Sequence, residues 1–65
     1  MEIYEHDLVI LKRDYGKIKT GTNGTVIFDY ESGGMYEVEF FDNEHNTIGV
    51  DRVYKDDLEV VKHYD

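Results

Sequence analysis

Met35-Tyr36-Glu37-Val38-Glu39-Phe40 alternates without a break: Tyr36, Val38 and Phe40 fall on one side, Glu37 and Glu39 on the other. Successive side chains of an extended chain point to opposite faces, so the stretch predicts a strand with one face in a core and one toward solvent or a partner. Phe41 breaks the alternation and is expected to be half exposed at the strand end.

Working upstream, Glu31-Ser32-Gly33-Gly34 reads as a tight turn, because paired glycines supply the positive φ angles that hairpins need. Gly24-Thr25-Val26-Ile27-Phe28-Asp29-Tyr30, rich in β-branched and aromatic residues, reads as a strand. Residues 12–23 form a long polar loop containing Gly16 and Gly21, and Asp7-Leu8-Val9-Ile10-Leu11 reads as a first strand. Downstream, Asp42-Asn43-Glu44-His45-Asn46 is a polar turn and residues 47–53 a fourth strand. Residues 54–58 suggest a single helical turn and 59–62 a last strand, followed by a frayed tail. Helical periodicity is weak throughout. Short strands and turn signals in alternation are the all-β signature. Five of them, with a long first loop and a helical turn before the last strand, predict a small SH3-like barrel, whose closure protects strand edges. An OB-like barrel ranks second, because its strands are usually longer.

The chain has 65 residues, enough for one domain over 1–65 with an ordered core at about 6–62. A chain of this size buries only about 60% of its unfolded surface. Six Tyr and three Phe suit a compact aromatic core. A deep pocket of roughly 300 Å³ or more is not expected beside that core, so a shallow groove or flat face is the realistic binding surface. No Cys is present, which removes disulfides and thiolate chemistry and favours a reducing, cytoplasmic setting. The first residues lack the pattern of a signal peptide, and no apolar run approaches a membrane span. Asn23-Gly24-Thr25 matches a glycosylation pattern but reads as a turn.

The net charge is −8. Lys12, Arg13, Lys17 and Lys19, opposed within that stretch only by Asp14, make one corner +3 and leave the rest at −11. Such a body repels phosphate backbones and attracts basic partners. Asp29, Glu31, Glu37, Glu39, Asp42 and Glu44 form the expected acidic contact face. Tyr4, Tyr15, Tyr30, Phe41, Tyr54 and Tyr64 lie in or near loops and ends, and Tyr offers rigid contact area with a polar tip. Tyr15 and Tyr54 fall where SH3-type domains place groove aromatics, and at least two of these tyrosines are expected in the core.

Catalytic and metal-binding patterns are missing. His6, His45 and His63 show no close repeated spacing, so no metal site is expected. Asp42, Glu44 and Asn46 alternate like cation ligands, but a calcium loop needs more oxygens. Glu37 with Glu39 and Asp56 with Asp57 are carboxylate pairs without a cleft between them. No nucleophile triad or phosphate-binding loop is present, and neither enzymatic activity nor a cofactor is expected.

Asp7-Leu8-Val9-Ile10-Leu11, residues 19–26, Tyr36-Glu37-Val38-Glu39-Phe40 and Asp57-Leu58 resemble, in order and spacing, the small bacterial domain-of-unknown-function family 4926. The resemblance covers nearly the whole chain. One departure is the turn after Phe40, where the family tends to carry Gly and this chain has Asn43-Glu44-His45-Asn46. The resemblance implies an SH3-like fold and no established activity. Such small domains look like ones found beside toxin-type genes in bacteria, and the resemblance thereby implies an immunity or inhibitor role. Gly21-Thr22-Asn23-Gly24-Thr25-Val26 also resembles the core of a KOW-type nucleic-acid module.

Three functions are therefore expected in order. The first is an acidic immunity-type or inhibitor module that meets a basic protein such as a nuclease. The second is a peptide-binding adaptor. The third is a nucleic-acid or ribosome-associated module acting through Lys12, Arg13, Lys17 and Lys19. A monomer or weak homodimer is expected.

Overall fold

The computed structural model describes residues 2–31 and 33–64. Five antiparallel strands, β1 (Leu8–Leu11), β2 (Asn23–Asp29), β3 (Met35–Phe41), β4 (Thr47–Tyr54) and β5 (Leu58–Lys62), form one sheet in the order β4-β3-β2-β1-β5. A 3-10 turn, Lys55–Asp57, precedes β5. The all-β reading and the helical turn before the last strand hold, and strand limits move by only a residue.

A single sheet with no second layer can hide one face only by coiling on itself. Val9, Leu11, Val26, Val38, Phe40 and Val53, drawn from four strands, are at most 1% exposed, and Leu58 of β5 joins them. The sheet therefore wraps around this core, as an SH3-like barrel requires. Tyr36, Val38 and Phe40 are buried while Glu37 and Glu39 face outward, as their alternation dictates.

Gly24 faces this core with no room for a side chain. A Cβ there would lie 2.6 Å from Val38 Cγ1 and 2.9 Å from Phe40 Cδ1. β3 runs back antiparallel along β2; Ser32, part of the turn expected over residues 31–34, lies outside the described residues. The turn after β3 closes with Asp42 N–H donating to the Asn46 carbonyl at 2.9 Å. Asp42 Oδ1 accepts from Glu44 N–H and Asn46 N–H, and His45 takes φ 66°. His45 thus occupies the left-handed position that Gly usually fills in a three-residue hairpin loop.

Three expectations need correction. The loop over residues 12–23 is a built element: Tyr15 and Ile18 exchange backbone hydrogen bonds at 2.8 and 3.0 Å, Ile18 enters the core, and Asp14 Oδ1 accepts from the Thr20 amide and hydroxyl. In the expected tail, His63 and Tyr64 are held rather than frayed. Asp7 lies just before β1, is fully buried, and accepts from Tyr4 N–H, Tyr64 N–H and the His63 ring. Ile3 is also buried and joins the core from the N-terminal side. Finally, of the six loop and end aromatics only Tyr15 packs against the core; the fully packed tyrosine is Tyr36.

Candidate functional site

β2 carries one extra residue between Val26, which pairs with Val38, and Phe28, which pairs with Glu37. Strict alternation from Gly24 and Val26 would send Phe28 inward. The bulge at Ile27 turns it outward instead. Phe28 is half exposed, beside Glu37 and across β3 from Arg52. Val50 occupies the next outward row, opposite Glu39, and is also half exposed. Ile48 and Tyr54 continue the exposed apolar surface along β4.

Polar groups on this face are already organised. The Tyr30 hydroxyl donates to Glu37 Oε1, and Thr47 Oγ1 donates to Glu39 Oε2 at 2.6 Å. Phe28 meets Tyr30 edge-on with ring centroids 4.9 Å apart. The Arg52 guanidinium lies 4.9 Å from the Tyr30 centroid. Glu37 and Glu39 are only half-buried, so both carboxylates remain within reach of a partner.

The other expected contact residues fall in three places. Asp29 and Glu31 sit at the end of β2, where Asp29 Oδ1 accepts from Glu31 N–H and Glu31 takes φ 64°. Asp42 and Glu44 lie in the β3–β4 turn; the N–H groups of Asn46 and Glu44 hold the Asp42 carboxyl below its usual range. Tyr15 and Tyr54 do meet: Tyr54 N–H donates to the Tyr15 hydroxyl at 3.3 Å. Tyr15 is nonetheless tied down, donating to Asp57 Oδ2 at 2.6 Å, and burial followed by that bond pushes its hydroxyl pKa up. Tyr54 is the exposed member of the pair.

β4 is an edge strand, and two of its amides are covered. Arg52 N–H donates to its neighbour Asp51 Oδ1 at 2.7 Å, and Tyr54 N–H is covered by Tyr15. A capped, charged edge resists pairing with a further strand. On this side of the sheet, contact through side chains on the sheet face is the route left open.

A surface hollow of about 460 Å³, open on one side, lies over Leu8, Thr25, Phe41 and Val61 with Asp42 and His45 on its rim. It is larger than the chain length suggested, because Leu8 and Val61 point away from the core and leave a trough between β5 and the β3–β4 turn. No group of three or more His, Cys, Asp or Glu among the described residues is placed to hold a metal. No described helix is long and apolar enough to cross a membrane.

Sequence reading missed Phe28, Val50 and Arg52. The bulge that exposes Phe28 leaves no mark in composition, and Arg52, one cation beside one Asp in β4, stands out by no local charge pattern. The faint signal is Ile27-Phe28, two large apolar neighbours in one strand, which cannot both face the core.

No curated protein and no solved structure is detectably similar to this chain. One family does match, described as a domain of unknown function (DUF4926), over residues 5–60. That span takes in all of β1 to β4 and the 3-10 turn, and the chain belongs to the DUF4926 family.

Proposed function

We propose that this domain is a non-enzymatic protein-binding module whose outer β2–β3–β4 face engages a basic partner protein, in an inhibitor or immunity role. The observation that carries the reading is the bulge that sets Phe28 outside the barrel next to Glu37. Exposed apolar side chains grouped on one face, rimmed by polar ones, mark an interaction surface. Phe28, Val50 and Tyr54 supply apolar contact, and Glu37 and Glu39 supply charge between them. A net charge of −8 draws a basic partner toward that face and makes encounter depend on salt. Against a nuclease, the carboxylates would occupy the surface that otherwise meets phosphate. A cysteine-free chain suits a reducing compartment such as the cytoplasm.

The basic corner is a weaker candidate for contact. Arg13 lies 3.8 Å from Asp57 and Lys19 3.8 Å from Asp14, so half of its cations face a carboxylate of the same chain. Immobilised domain, loaded with extract from the source cell and eluted with a salt gradient, tests the reading. A basic protein released at moderate salt is expected. Recovery of RNA or ribosomal particles would overturn the proposal and move function to Lys12, Arg13, Lys17 and Lys19.

A further inference from the structure

Arg52 sits on this face in an unusual way. Its guanidinium is stacked 4.9 Å from the Tyr30 centroid, yet it lies within 4.0 Å of no carboxylate among the described residues. Glu37 is its cross-strand neighbour and keeps Oε2 without a hydrogen-bond donor among the described residues. Phe28 stands edge-on to Tyr30 at an interplanar angle of 78°, giving a second aromatic wall near the same place. The Tyr30 hydroxyl donates to Glu37 Oε1, a bond that pushes electron density into the ring and strengthens its attraction for a cation. Aromatic surfaces at a right angle beside a carboxylate are the components of a cation-recognition site. Arg52 uses the ring and leaves the carboxylate oxygen unused.

We propose that the Phe28–Tyr30–Glu37 corner is a recognition site for an arginine side chain of the basic partner, and that Arg52 is a placeholder the partner's arginine displaces. The inference deepens the reading of this face as a protein-binding surface and rests on it. An incoming guanidinium can stack on Tyr30 and bond Glu37 Oε2 together, which Arg52, anchored on β4, does not do. The planar fork of a guanidinium matches stacking and carboxylate pairing better than an ammonium does. Arginine is therefore the favoured occupant over lysine.

The test is titration of the whole isotope-labelled domain with N-acetyl-arginine amide, followed by amide chemical shifts. Arg52→Ala removes the placeholder. Arg52→Gln, which keeps a polar stem, is run beside it so that a local fault in one variant does not decide the result. Both variants are expected to bind the probe about two- to fivefold more tightly than the unmodified domain, the scale of one exposed cation–π contact. Shifts should concentrate at Phe28, Tyr30 and Glu37. Adding Phe28→Ala to Arg52→Ala should abolish the gain, and N-acetyl-lysine amide should bind more weakly. Equal affinity of the unmodified domain and both variants, or shifts centred on the Asp42 turn, would overturn the proposal. A lysine probe that binds as well as arginine would overturn the choice of occupant. The probe is a small molecule, so failure here is separable from failure of partner capture.

Discussion

Asp7 is the only charged residue among those described that is wholly removed from solvent. Burial by itself would raise its pKa. The N–H groups of Tyr4 and Tyr64 and the His63 ring outweigh burial and lower it below the ordinary 3.8. A carboxylate that is easier to ionise in the folded state stabilises the fold above that ordinary value and loses this contribution as pH falls through the folded one. Asp14 and Asp42 are lowered in the same direction by backbone hydrogen bonds of their own loops. Denaturant unfolding should therefore show stability falling below about pH 4, with a shallower fall in Asp7→Asn. At neutral pH, Asp7→Asn should cost about 1–3 kcal/mol, because an amide turns a donor toward groups that are themselves donors. His45 is the opposite case, a side chain in a conformation it disfavours. His45→Gly should be neutral or raise stability by up to about 1 kcal/mol in thermal unfolding, relief of left-handed strain being partly offset by the entropy of glycine in the unfolded chain.

The strand β2 shows how one element serves both core and surface. Its first half is committed to packing: Gly24 leaves space for Val38 and Phe40, and its Cβ would also lie 3.0 Å from the Glu39 carbonyl oxygen. Gly24→Ala should therefore destabilise by about 3 kcal/mol, measured by the denaturant midpoint, since the nearest contacts belong to a core with no exposed side to move into. Its second half, after the bulge, is committed to the surface. The sequence makes the first half legible and hides the second. Tyr36, Val38 and Phe40 alternate cleanly, and β3 was readable face by face. Phe28 was not, because one inserted residue reverses the facing of everything after it. Ile18 was hidden for a different reason: it stands alone in a polar loop, and only the Tyr15–Ile18 bridge turns it toward the core. The held tail was equally illegible, since it depends on Asp7 and His63, separated by most of the chain.

At the scale of the whole molecule, charge and shape divide the surface. The acidic excess was visible in composition, but composition does not say which carboxylates are available. Asp7 is buried, Asp57 accepts from Tyr15, Asp51 caps the β4 edge, and Asp42 braces its turn. Glu37 stands beside the exposed Phe28 and Glu39 beside the exposed Val50, where charge and buried area act together in binding. The proposed function puts partner contact on this face. Its most direct test is capture from the source cell on the unmodified domain and, in parallel, on a Phe28→Ser, Val50→Ser double variant, compared quantitatively at one salt concentration. Both side chains are half exposed, so thermal unfolding of the variant should stay close to that of the unmodified domain. A basic protein retained by the unmodified domain should be lost, or reduced at least about tenfold, on the variant, as expected when central apolar contacts are removed. Equal retention of that protein by a folded variant would contradict the proposal and place the contact elsewhere on the barrel.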